Sequence, residues 1–165
     1  MAGPVEIVDA TAFLGMHAVD DATRIACKTF FASRNPHETV LMSLEHIGWC
    51  DDVVWGHPRP LQDAYYPFMD TLHSEMAIRR VGYDEPDIEA ALGTAELTDL
   101  PMRERLLMGM VLRRDAVLRT ASPRLVARRD LPVASVPPAS EQPFSEHLEQ
   151  LYRASLALRI PIELM

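Results

Sequence analysis

The 165-residue chain reads as an α/β protein with a central, mostly parallel sheet flanked by helices in three layers. Three observations predict this. Short apolar runs alternate with longer stretches of helical spacing, which is the pattern of a parallel sheet with crossover helices. Polar residues follow those runs, at Asp9, Glu45 and Ser122. Hydrophobic residues make up 48% of the chain, enough for a substantial core and too many for a disordered one.

Val5–Asp9 reads as a short buried strand. Asp20 and Asp21 open a helix, since carboxylates suit a helix N-terminus, and the helix stops near Asn35-Pro36 because the residue before proline avoids helical geometry. Thr39–Ser43 is the second strand, and Glu45–Cys50 a short helix. Gly56–Pro60 is a loop. From Leu61 to Val81 the apolar residues fall at helical spacing, which predicts one long helix. Pro86–Leu92 is a short helix with proline in its first turn. Thr98 or Asp99 caps the next helix, which buries Leu106, Leu107, Met110 and Val111. Ala116–Thr120 is the third strand, Ser122 caps a short helix over Pro123–Ala127, and Leu131–Val136 is the last strand. Pro137, Pro138 and Pro143 bracket a linker, and Ser145 caps a terminal helix. The organisation is therefore residues 1–136 as the α/β unit and residues 137–165 as linker and helix packed on it.

Charge narrows the function classes. A net charge of −8 argues against a strong nonspecific nucleic-acid binder. Its distribution is uneven: an acidic stretch over Asp84–Asp99 precedes an arginine-rich one over Arg103–Arg129. The simplest reading is a solvated face, and the functional one a strip that contacts phosphates. No segment has the length and hydropathy of a membrane span and no signal peptide is visible, so the expected setting is the cytoplasm. Cys27 and Cys50 make neither metal-ligand spacing nor a disulfide framework.

Carboxylates placed after separate strands of a parallel sheet converge on one edge, the arrangement that holds a hard divalent cation. Glu104, at the start of a helix, can reach the same edge as Asp9 and Glu45. Each also has a plainer role: Asp9 as a cap, Glu45 and Glu104 as first-turn carboxylates, Ser122 as an N-cap.

The order of these motifs resembles the PIN domain, a family of metal-dependent nucleases. The resemblance rests on Val5-Glu6-Ile7-Val8-Asp9, on Val40-Leu41-Met42-Ser43-Leu44-Glu45, on the helix opening Arg103-Glu104-Arg105, and on Ala116-Val117-Leu118-Arg119-Thr120-Ala121-Ser122. It covers the chain to about Val136, and each motif is short. It implies Mg²⁺ or Mn²⁺ held by Asp9, Glu45 and Glu104. Ser122 and Thr120 would orient water or substrate, with Arg119 and Arg124 beside the phosphates. The reaction implied is endonucleolytic cleavage of RNA. Two positions depart from the family pattern: Glu104 stands where Asp is usual, and Ser122 where Asp or Asn is usual. Asp99 competes with Glu104 as third carboxylate. The departures leave a second expectation, a catalytically degenerate accessory or ligand-binding protein. A third is the toxin of a toxin–antitoxin pair, which adds a protein inhibitor as partner. Exposed apolar residues on Leu61–Val81 suggest a homodimer.

Other candidates carry less. Asp70 and His73 lie one turn apart but have no matching pair. His46 and His57 are near enough in sequence to approach the edge, though solvent exposure is the simpler expectation. Trp49 and Trp55 can stack a base, with packing as the plainer alternative. Cys27 reads as core, and Cys50 has no neighbouring base in sequence to activate it.

Overall fold

The computed structural model describes residues 3–165. Its sheet has five strands, all parallel: β1 (Glu6–Val8), β2 (Val40–Ser43), β3 (Ile78–Val81), β4 (Val117–Thr120) and β5 (Val133–Ser135), in the order β3-β2-β1-β4-β5. Among the described residues eight α-helices connect and cover them: α1 (Ala10–Leu14), α2 (Asp21–Ala32), α3 (Leu44–Trp55), α4 (Arg59–Glu75), α5 (Glu85–Gly93), α6 (Met102–Arg113), α7 (Pro123–Val126) and α8 (Glu146–Ser155). No helix among the described residues is long and apolar enough to cross a membrane.

The strands separate two cores because alternate side chains leave a strand on opposite faces. Val8, Val40 and Met42 face Phe13, Phe31, Phe68, Leu72 and Tyr152 from α1, α2, α4 and α8. Ile7, Leu41 and Leu118 face Leu107, Met108 and Val111 of α6. Both sheet faces are thus buried, and the three-layer α/β expectation holds.

The expected long helix over Leu61–Val81 is two elements. α4 ends at Glu75, Met76 turns to extended backbone, and Ile78–Val81 pairs with β2 as an edge strand. Ile78 and Val81 are half-buried while Arg79 and Arg80 are exposed, a pattern that an amphipathic helix and an edge strand share over four residues. A second difference follows Asp9. The helix α1 is only five residues long, too short to show a helical period, and continues into a 3-10 turn at Gly15–His17. Two further helices are longer or start differently than expected. α3 runs on to Trp55, and α6 starts after Pro101 with no side-chain cap, so neither Thr98 nor Asp99 caps it. Ser145 does not cap α8 with its side chain; its hydroxyl donates to Glu75 Oε2 at 2.8 Å.

The C-terminal segment is tied to the sheet unit by polar contacts within the apolar core. Lys28, the chain's one lysine, is buried, pairs with Glu149 at 2.8 Å and lies over the Tyr152 ring at 5.0 Å. His17 Nε2 lies 2.7 Å from Ser155 Oγ, with its ring packed edge-on against Tyr65 and Tyr152. The apolar face of α4 is spent in the same place, where Tyr65, Phe68 and Leu72 are buried in the core that includes Leu148 and Tyr152 of α8.

Candidate functional site

The chain runs from β1 outward to β2 and β3, then returns to add β4 and β5 on the other side of β1. This reversal opens a crevice at the carboxyl ends of β1 and β4, where open α/β sheets bind ligands. Asp9 follows β1 there, Thr120 ends β4, and Ser122 lies just beyond.

Asp9 is 2% exposed. It is the N-cap of α1: Oδ1 accepts from Ala12 N at 2.9 Å and from Thr11 Oγ1 at 2.6 Å. Oδ2 accepts from Thr120 Oγ1. The two hydroxyls lie 3.0 Å apart and in turn accept from the backbone: Thr11 Oγ1 from Ala121 N and Thr120 Oγ1 from Ser122 N, both at 3.0 Å. Burial raises the Asp9 carboxyl above its usual range, against these hydrogen bonds, which favour the charged form. Thr11 was not among the residues expected to act here. The local signal is Asp9-Ala10-Thr11, a cap followed by a hydroxyl two residues on.

Glu45 lies in the first turn of α3, half-buried, with Oε1 buried and without a partner among the described residues. Burial raises its carboxyl, and Arg103 pulls the other way. Glu104, in the first turn of α6, is 9% exposed; its Oε1 accepts from Arg124 Nη2 and its Oε2 is buried without a partner. Asp99 lies outside this cluster, exposed and paired with Arg128 at 3.1 Å. Ser122 caps α7, its Oγ accepting from Leu125 N at 3.4 Å.

His46 is 1% exposed, contrary to the expectation of a solvated ring. Its Nδ1 accepts from Ala10 N at 3.0 Å, which places the proton on Nε2, and Nε2 has no partner among the described residues. Burial, then the Arg103 charge, lowers its pKa to about 4, so it is neutral at physiological pH. Arg103 itself stacks over Trp49 at 4.4 Å, so Trp49 packs against a cation while Trp55 stands 69% exposed. His73 packs against Phe13 at 5.5 Å, with Asp70 exposed beside it.

The arginines expected to form a phosphate strip are mostly engaged with carboxylates or helix ends. Arg113 pairs with Asp84 and Asp87, Arg128 with Asp99 and Asp130, and Arg105 donates to the carbonyls of Ala91 and Leu92. Arg119 pairs with Glu6 at 2.7 Å and donates to Ser135 O at 3.2 Å. Arg124 pairs with Glu104. The acidic and basic stretches therefore close largely on each other.

These donors do not fit a three-carboxylate cation site. Asp9 is enclosed and hydrogen-bonded through both oxygens, and Glu104 is neutralised by Arg124. Two oxygens, Glu45 Oε1 and Glu104 Oε2, stay buried and unpartnered, but among the described residues no group of three or more His, Cys, Asp or Glu is placed to hold a metal.

Beside Thr120 the crevice widens into a cleft of about 320 Å³. Ala26, Cys27, Ala121, Val126 and Val136 give it apolar walls, with few polar groups. Cys27 is buried, and burial, with the Asp9 charge, raises its thiol to about 12, so it is an apolar wall and not a nucleophile.

The model of a family of unknown function, DUF6190, matches residues 1–165. The chain belongs to that family. No curated protein matches it. Membership thus adds no activity, and the functional reading of this DUF6190 chain rests on its carboxyl edge.

Proposed function

We propose that this chain is a PIN-like protein that has given up phosphodiester hydrolysis and serves as an accessory or ligand-binding protein. One observation carries this reading. Asp9, the residue that would be the principal ligand, serves as a fully enclosed structural carboxyl bound by Thr11, Thr120 and Ala12. A buried carboxylate whose two oxygens accept three hydrogen bonds from internal donors is engaged by the fold and has little left to offer a cation or a phosphate. The adjoining cleft supports the binding half of the proposal. Its volume lies at the lower end of the range for ligand pockets, about 300–1,000 Å³, and its walls suit a small, largely apolar molecule.

The test is a cleavage assay on single-stranded and structured RNAs and single-stranded DNA, with Mn²⁺ or Mg²⁺. All substrates stay intact on this reading. Cleavage that EDTA blocks and Asp9→Ala abolishes would overturn it.

A metal-dependent endoribonuclease, either free-standing or as the toxin of a toxin–antitoxin pair, is the second reading. Its support is the pair of buried, unpartnered oxygens on Glu45 and Glu104. It requires Arg124 to leave Glu104 and Asp9 to become accessible.

A further inference from the structure

The amino edge of the sheet, opposite the Asp9 edge, carries a groove of about 820 Å³. Arg34, Arg79 and Arg114 line it against the carboxylates of Glu6 and Glu38. An excess of cations is unusual in a chain of net charge −8.

Glu6 does not neutralise the groove. It already accepts from Arg34 Nη2 at 2.9 Å and from Arg119 Nε at 2.7 Å. Burial alone would raise its carboxyl, yet the two guanidiniums hold it below the usual range. One carboxylate thus serves two arginines. Arg34 is fixed further by the Phe30 ring, 4.6 Å from its guanidinium.

Two donors on these lining arginines lack acceptors. Arg34 Nε and Arg114 Nε are both buried and without a partner among the described residues. The nearest carboxylate to Arg114 is Asp87, 3.9 Å away, which already binds Arg113 and the Asp84 N–H. Arg79 is exposed on β3, level with Leu41, and meets no carboxylate within 4.0 Å among the described residues. Buried N–H groups of a guanidinium left without acceptors are costly, and such groups in a native fold call for a ligand atom or water.

We propose that this groove binds the phosphate group of a small phosphorylated molecule. Arg34, Arg79 and Arg114 act as the phosphate clamp, since planar guanidinium forks match phosphate oxygens in pairs. Pro4, Val5 and Leu41 supply the surface for the uncharged body of the ligand. The volume admits a molecule of nucleotide size. This site shares no residue with the carboxyl edge, so its failure leaves the proposed function standing, and the reverse also holds.

Calorimetric titration of the full chain tests the assignment with inorganic phosphate, pyrophosphate, adenosine monophosphate and adenosine. The phosphate-bearing probes bind and adenosine does not. Arg79→Ala, an exposed position whose change leaves the melting temperature intact, weakens the binding about tenfold, the loss of one charged contact. Arg34→Lys weakens it too, because an ammonium lacks the fork. Three results would each overturn the assignment. The phosphate-bearing probes fail to bind; adenosine binds as well as its monophosphate; or Arg79→Ala binds as tightly as the parent. A short oligoribonucleotide that binds where all the small probes fail would also overturn it, in favour of a nucleic-acid strand.

Discussion

Thr120 donates its hydroxyl to Asp9 across 111 residues of sequence, joining the ends of two adjacent parallel strands. That contact decides how the carboxyl edge is read. It makes the carboxylate that follows β1 part of the fold's own hydrogen-bond network.

Thr120→Val keeps the side-chain shape and removes the hydroxyl. It leaves Asp9 Oδ2 and Ser122 N without their partner in a buried place. The expected cost is about 1–3 kcal/mol, while Thr120→Ser retains most of the stability. Chemical denaturation of the two variants checks the ranking.

Arg124→Ala tests whether that arginine masks a catalytic carboxylate. Its side chain is 55% exposed but that of Glu104 only 11%, so the exposed arginine discounts the pair while the carboxylate left behind raises the cost, to about 1–3 kcal/mol. The expected variant is folded and still leaves RNA intact in Mn²⁺. A gain of EDTA-sensitive cleavage would establish Arg124 as a latch and restore the nuclease reading.

Two fully buried histidines, His17 and His46, make a defined contribution to the pH dependence. Burial lowers His17 to about 3 and His46 to about 4, below their ordinary value of 6.5. The folded state keeps both rings neutral, so their contribution is fully present above pH 6.5 and is lost as pH falls toward those values. Each histidine removes roughly 1.4 kcal/mol per pH unit inside that window. Asp9 and Glu45, raised by burial, act in the opposite sense. Unfolding free energies measured from neutral pH downward should show this decline, and His17→Gln should flatten it by about one proton.

Gly109 of α6 lies directly against the backbone of α5. A Cβ placed there would lie 2.5 Å from Asp87 O and 2.8 Å from Ala91 Cβ. Backbone cannot yield as a flexible side chain does, so Gly109→Ala should cost about 1–3 kcal/mol by overpacking, read as a lower melting temperature with no change at either edge of the sheet.

The sequence carried the alternation of strands and helices because apolar runs such as Val40–Met42 lie in strands buried on both faces. It did not separate Ile78–Val81 from the helix before it. The half-buried ends of an edge strand continue a helical stripe, and its identity depends on pairing with β2. The placement of Asp9, Glu45 and Ser122 just after strands was legible. Their partners were not. Thr11 is visible as a local hydroxyl, but that Thr120 and Arg124 take up Asp9 and Glu104 follows from the β1–β4 pairing and the docking of α7. The burial of His46 has the same origin, since its partner Ala10 N lies on the element after another strand.

The melting temperature of Asp9→Ala in EDTA, compared with the parent protein, separates a structural carboxyl from an empty cation ligand. A carboxylate in an empty cation site is repelled by its acidic neighbours, so its removal leaves stability unchanged or raises it. A structural carboxyl that holds Thr11, Thr120 and Ala12 leaves three buried donors unsatisfied when removed. A structural Asp9 gives a loss of about 2–4 kcal/mol, or roughly 5–15 °C for a chain of this size, with no recovery on adding Mn²⁺. An unchanged or higher melting temperature would contradict it.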